Sequence, residues 1–78
     1  MADIKQIAGE LSYAMRTLVL YINVESGSEN ERLRWSTLNA LRTRGLSEGR
    51  LVRARYREFL TPLGVAVRDQ LRKDHPND

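Results

Sequence analysis

The chain has no cysteine, and only one histidine, one tryptophan, one phenylalanine and two prolines among its 78 residues. Without cysteine it can form neither a disulfide nor a thiolate metal site, and a reducing, cytoplasmic setting is the expectation that follows. The only histidine, His75, stands in the C-terminal tail, where exposure to solvent is expected rather than catalysis. The acids are scattered without a recurrent pairing to a base, and Gly45, Gly49 and Gly64 lie too far apart to cradle a phosphate. No enzyme activity, no metal or other cofactor and no small-molecule substrate is therefore expected. Long apolar runs are also missing. The longest, Leu18–Ile22, falls far short of the ~20 residues that span a bilayer, so no membrane partner is expected. Asp3 stands where a secretion signal would carry basic residues, and no targeting segment is expected.

A chain of this length buries only roughly 60% of its unfolded surface, which predicts one domain with a thin core. The expected domain is 1–78, with 73–78 as a frayed tail. With no disulfide to staple it, oligomerisation is the remaining common way to bury more apolar surface.

What the chain does have is arginine, concentrated in one third of its length. Eight of its thirteen basic residues lie from Arg32 to Arg57, all arginine, against the single acid Glu48, a net charge of about +7. Residues 1–31 hold two basic and five acidic residues, a net of −3, and residues 58–78 hold three and four, a net of −1. A local field of this kind attracts polyanions even when the total charge is only +3. The guanidinium fork matches phosphate or a guanine edge bidentately.

Ile4, Ile7, Leu11, Met15, Leu18 and Ile22 recur at spacings of three and four, which predicts one helix over residues 3–24. Asp3 and Gln6 read as a capping box at its start. Thr17–Val24 is also rich in β-branched and aromatic residues, as a strand would be, but the unbroken stripe favours helix. Its second face, Tyr13, Leu20, Tyr21 and Val24, is more apolar than solvent favours and predicts either packing from both sides or a homodimer interface. Ser28 and Glu31 read as a second capping box, opening a helix from about residue 29 to Arg44 that Gly45 closes in left-handed geometry. Its apolar side holds Leu33, Thr37, Leu38, Ala40 and Leu41, and its polar side Arg32, Ser36, Asn39 and Thr43, with Trp35 and Arg42 flanking. From Leu51 to Phe59 two readings stay open: Val52, Ala54 and Tyr56 alternate with arginines as in a strand, yet Val52, Tyr56, Phe59, Leu60 and Leu63 also suit a helix. Thr61 and Pro62 then start a last helix with the stripe Leu63, Val67 and Leu71, ending near Lys73.

Two stretches, Thr37-Leu38-Asn39-Ala40-Leu41-Arg42-Thr43-Arg44-Gly45-Leu46 and Leu60-Thr61-Pro62-Leu63-Gly64, resemble the winged helix-turn-helix domains of small bacterial and phage regulators. In that family a recognition helix ends in leucine, three residues, glycine, leucine, and a hairpin wing leads to leucine-threonine-x-x-glycine at the last helix. The resemblance covers roughly residues 33–72. It implies a mainly α fold with a small β-hairpin, a winged-helix-like three-helix domain of α+β class, with an all-α bundle as the alternative. It also implies that helix 29–44 enters the major groove and that residues 50–57 form the wing. The family's preceding helix is absent here or fused into Asp3–Val24.

The resulting nucleic-acid candidates are Arg32, Trp35, Ser36 and Asn39 on the helix and Arg50, Arg53, Arg55 and Arg57 on the wing. Asn can read adenine and Arg guanine, whereas most arginine contacts go to the backbone. Trp35 also reads as a core or interface anchor, and Tyr56 as core. Arg42 and Arg44 have a structural role open to them at the helix C-terminus. Two functions are expected from this pattern: a dimeric, cytoplasmic DNA-binding transcription regulator acting on duplex DNA, or a phage-type interaction module or inhibitor that grips an acidic protein surface.

Overall fold

The computed structural model describes residues 3–74, so the expectations for His75 and the end of the tail lie outside the described residues. The order of elements is α1 (Ile4–Glu10), α2 (Tyr13–Tyr21), β1 (Ser28–Glu29), a 3-10 turn (Asn30–Arg32), α3 (Trp35–Thr43), β2 (Ser47–Val52), β3 (Arg55–Leu60) and α4 (Pro62–Asp74). The strands form one antiparallel sheet in the order β1-β3-β2. The fold is therefore α+β with a hairpin, and the all-α alternative is excluded. Among the described residues no helix is long and apolar enough to cross a membrane.

The single helix expected over residues 3–24 is two. Leu11 and Ser12 adopt extended ψ angles of 139° and 166°, and the Ser12 hydroxyl accepts a hydrogen bond from Met15 N–H at 3.2 Å. Serine there is a good N-cap, and the break redirects the chain so that α1 packs on α4 while α2 packs on both α3 and α4. Asp3 caps α1 as expected, accepting from Gln6 N–H at 3.2 Å, but the Gln6 side chain donates to Glu10 instead of reaching back. The segment with strand-like composition is helical through Tyr21.

The helix expected from residue 29 begins instead at Trp35, and the capping box of Ser28 with Glu31 does not form. Ser28 and Glu29 pair across the sheet with Glu58 and Arg57, and the Ser28 hydroxyl accepts from Asn23 N–H. The far end of α3 follows its sequence. Gly45 takes φ +73°, its N–H donates to Arg42 O, and Leu46 N–H donates to Leu41 O at 3.0 Å. These two bonds satisfy the last carbonyls of the helix and turn Leu46 into the core, where it is fully buried.

The start of α4 locks onto that turn. Thr61 Oγ1 accepts from Gly64 N–H at 3.0 Å, and its hydroxyl donates to Gly45 O at 2.6 Å. Thr61 N–H donates to Leu46 O at 3.1 Å. A Cβ at Gly64 would collide with that same carbonyl oxygen, so only glycine allows the approach. Around this junction Leu38, Leu41, Leu46, Leu60, Val67 and Leu71 join Ala8, Leu11, Met15, Leu18, Val19 and Ile22 in one apolar core. Lys73 and Asp74 belong to α4 rather than to a frayed tail.

Candidate nucleic-acid interface

Residues 51–60 form neither one strand nor a helix. They are most of a hairpin whose two-residue turn is Arg53–Ala54, with φ of 51° and 67°. Both residues lie in the left-handed region that such hairpin turns require, and neither is the glycine or asparagine that occupies it cheaply. The turn undoes the apparent alternation. Directly paired residues share a face, so Arg50, Val52, Arg55, Arg57 and Phe59 lie on one side, and Leu51, Tyr56, Glu58 and Leu60 on the other. Val52 and Tyr56 fall on opposite faces, and Tyr56 is 64% exposed, so it is not the core residue expected.

Each arginine now has a definite situation. Glu58 is completely buried, and its carboxylate accepts from Arg42 Nε at 3.0 Å, Arg42 Nη2 at 2.7 Å and Asn30 Nδ2 at 2.8 Å. Those bonds raise the pKa of the Arg42 guanidinium above its ordinary value, with burial opposing them only in part. Gly49, on the strand opposite Glu58, leaves space for the Arg42 head, since a Cβ there would lie 2.7 Å from Nη2. Arg42 is also placed over Trp35, 5.4 Å from the ring centroid. Helix α3, the hairpin and the 3-10 turn are thereby tied at one point. Arg57 donates to the carbonyls of Ser26 and Gly27 at 2.8 and 3.1 Å, closing the loop before β1. Arg44 donates to Ala40 O at 3.0 Å, at the negative end of α3.

Arg50 pairs with Glu48 and lies 4.6 Å from the Phe59 ring centroid, which relieves its juxtaposition with Arg57 across the strands. Arg32 pairs with Glu29 at 3.1 Å, with both side chains well exposed. Exposed pairs of this kind hold by at most about 1 kcal/mol and give way easily to a phosphate. Arg53 and Arg55 are exposed at the hairpin tip and have no ion-pair or hydrogen-bond partner among the described residues.

On α3, Ser36 and Asn39 face solvent as expected, and Thr43 is exposed with its hydroxyl bonded to Asn39 O. Trp35 is 63% exposed and anchors no core. Arg34, which the sequence reading did not single out, is exposed at the N-cap of α3, where no side chain caps the helix. The signal that could have found it is the late start of the helix, and that depends on the pairing of β1. Leu51 is a second omission, 62% exposed beside Tyr56. The structure thus places Arg32, Arg34, Trp35, Ser36 and Asn39 on or just before α3, and Arg50, Arg53 and Arg55 on the hairpin that Arg42 pins to it.

Tyr13, Leu20, Tyr21 and Val24 are exposed on α2 and the turn after it. A hollow of about 260 Å³ separates Tyr21 from the sheet and is lined by Gly27, Ser28, Glu29, Arg32 and Arg57. Among the described residues no group of three or more acidic side chains could hold a metal ion. No protein-family model, no curated protein and no solved structure matches this chain.

Proposed function

We propose that this protein is a binding protein without catalytic activity, a small DNA-binding regulator that docks α3 in a groove of duplex DNA and clamps the backbone with its hairpin. One observation carries the reading. Arg53 and Arg55 stand exposed and unpartnered among the described residues at the tip of a hairpin that the Arg42–Glu58 pair fastens to α3. Cations left free on a rigid projection beside a polar helix face suit a polyanion of regular shape. Asn39 and Ser36 supply the hydrogen-bonding groups on that face. The uncapped amides at the start of α3, flanked by Arg32 and Arg34, suit a phosphate.

The winged-helix resemblance agrees with this reading. A helix, a short strand, a second helix and a hairpin follow in order, and the glycine-leucine and threonine-x-x-glycine motifs meet at the Leu46–Gly64 contact. In the place of the family's middle helix stands only the 3-10 turn Asn30–Arg32. A cytoplasmic setting is part of the proposal.

A second reading rests on the exposed apolar residues Trp35, Leu51 and Tyr56. A pure phosphate clamp has no use for them, whereas an acidic protein partner would cover them. Binding to duplex DNA across a salt series separates the two. About five phosphate contacts give a slope of log K against log salt near −4 to −5. Absence of binding to any duplex at ~50 mM salt would overturn the DNA reading in favour of the protein partner.

A further inference from the structure

The hairpin carries two large apolar side chains that the fold does not use. Leu51 on β2 and Tyr56 on β3 are both mostly exposed, and neither belongs to the apolar core. They stand directly opposite each other in the register, one pair back from the turn. Val52 and Arg55 close that two-residue turn, and the closing pair of such a hairpin exchanges its backbone hydrogen bonds. The next pair is therefore of the non-hydrogen-bonded kind, with Cα atoms only about 4.5 Å apart and side chains at their closest. Leu51 and Tyr56 thus make one compact apolar projection.

The surroundings of this projection say what it meets. Glu58, two residues along β3 on the same face, is held by Arg42 of α3, so this is the side of the hairpin from which α3 packs. A duplex seated on α3 comes up against Leu51 and Tyr56. From Arg50 to Arg57 the chain has four arginines and no acid, and Arg53 and Arg55 have no partner among the described residues. The complement of such a surface is anionic outside and apolar within. Duplex DNA is built that way, with phosphates outermost and flat base faces that are reached by opening a step from the minor groove. An acidic protein surface also offers charge and apolar groups, but the exposed Ser36 and Asn39 on α3 favour base edges.

Resting on the reading of α3 as a groove-docking helix, we infer that Leu51 and Tyr56 are a wedge that enters the minor groove, parts one base step and kinks the duplex. Arg53 and Arg55 hold the phosphates beside the opened step. Minor-groove wedges bend DNA toward the major groove, which is where α3 lies, so the kink wraps the duplex around the helix. Pyrimidine–purine steps part most easily, so the wedge selects TA steps without a hydrogen bond to any base. Arginine inserted without a wedge has the opposite preference, for the narrow minor groove of an A-tract.

Two duplexes of about 30 base pairs, one of alternating TA steps and one an A-tract, each with a donor and an acceptor dye at its ends, are the probes. The wild type is expected to bind the TA duplex at least about fivefold more tightly and to bring its ends together by a bend of about 30° or more. Leu51→Ala combined with Tyr56→Ala abolishes the bend and the preference but leaves the salt slope unchanged, because the phosphate contacts remain. Helix content stays the same, since neither side chain is in the core, and each single variant reads the same loss of bend in part. A bound duplex as straight as the free one, a preference for the A-tract, or a double variant that still bends DNA overturns the wedge and leaves the DNA reading standing. Binding of neither duplex overturns both and assigns the projection to a protein partner.

Discussion

Arg42 on α3 and Glu58 on β3 form a bidentate ion pair in which the acid is completely buried and the base is partly exposed. Sixteen residues separate them, and with Asn30 they tie three elements together. Removing one partner strands the other, and for a buried charge that costs about 3 kcal/mol or more. Arg42→Ala should lower stability by this order in urea melts, Glu58→Ala by less because the partly exposed Arg42 head can turn to solvent, and the double variant should lose less than the sum. The raised pKa of Arg42 means that its share of this stability is fully present below its unfolded value and is lost only as pH climbs through the higher folded one. From neutral to moderately alkaline pH the contribution of Arg42 should therefore stay constant.

Three glycines should respond to alanine in three different ways. At Gly64 a Cβ meets backbone at Leu46, which cannot give way, and a loss of at least about 2 kcal/mol is expected. At Gly49 the obstacle is the Arg42 head, which can shift at the expense of its bond to Glu58, so a smaller loss is expected. At Gly9, inside α1, nothing lies within 4 Å, and alanine should stabilise by about 0.5–1 kcal/mol. Thermal melts of the three variants should rank Gly9→Ala above wild type, then Gly49→Ala, then Gly64→Ala.

The hairpin turn should separate stability from binding. Left-handed geometry at a residue with a Cβ costs roughly 1 kcal/mol, so Ala54→Gly should stabilise the fold and leave DNA affinity unchanged. Arg53→Asn should stabilise it as well, yet reduce the salt slope of duplex binding by about 1. If Arg53→Asn raises stability with no change in slope, the tip does not touch phosphate.

Arg55 and Arg57 share a strand face but not a role. Arg55→Ala should leave the melting temperature unchanged and weaken binding to all sequences alike. Arg57→Ala removes two hydrogen bonds from a charged donor to Ser26 and Gly27, and should cost about 1.5–3 kcal/mol of stability.

Asn39 is the residue through which α3 would choose a base. Asn39→Ala should flatten preference at one base-pair position by about 1–3 kcal/mol in a selection experiment, leaving affinity for random duplex nearly intact.

The elements legible in the sequence were those that local chemistry dictates. Gly45 with Leu46, Thr61 with Pro62, and Asp3 at the start of α1 all act within one helical turn, and each forms as read. The break at Ser12 was missed, because the apolar stripe runs through it without interruption; Ser12 caps α2 locally, and the break lets α1 pack on α4. The start of α3 was misplaced because Ser28 and Glu29, a fair N-terminus by composition, are claimed by β3 about thirty residues away. Tyr56 and Val52 looked alike in an alternating run that a turn in fact divides.

By itself the sequence determined that arginine dominates the stretch from Arg32 to Arg57, and where α3 ends and α4 starts. Charge adds without regard to conformation, and caps need only their neighbours. Tertiary structure alone decided what each arginine does. Arg42 neutralises a buried acid, Arg44 and Arg57 hold backbone carbonyls, Arg32 and Arg50 keep loose partners, and Arg34, Arg53 and Arg55 have none among the described residues. A guanidinium is available to a ligand only if no buried carboxylate or backbone carbonyl of its own chain holds it, and for Arg42 and Arg57 that depends on contacts between residues far apart in sequence.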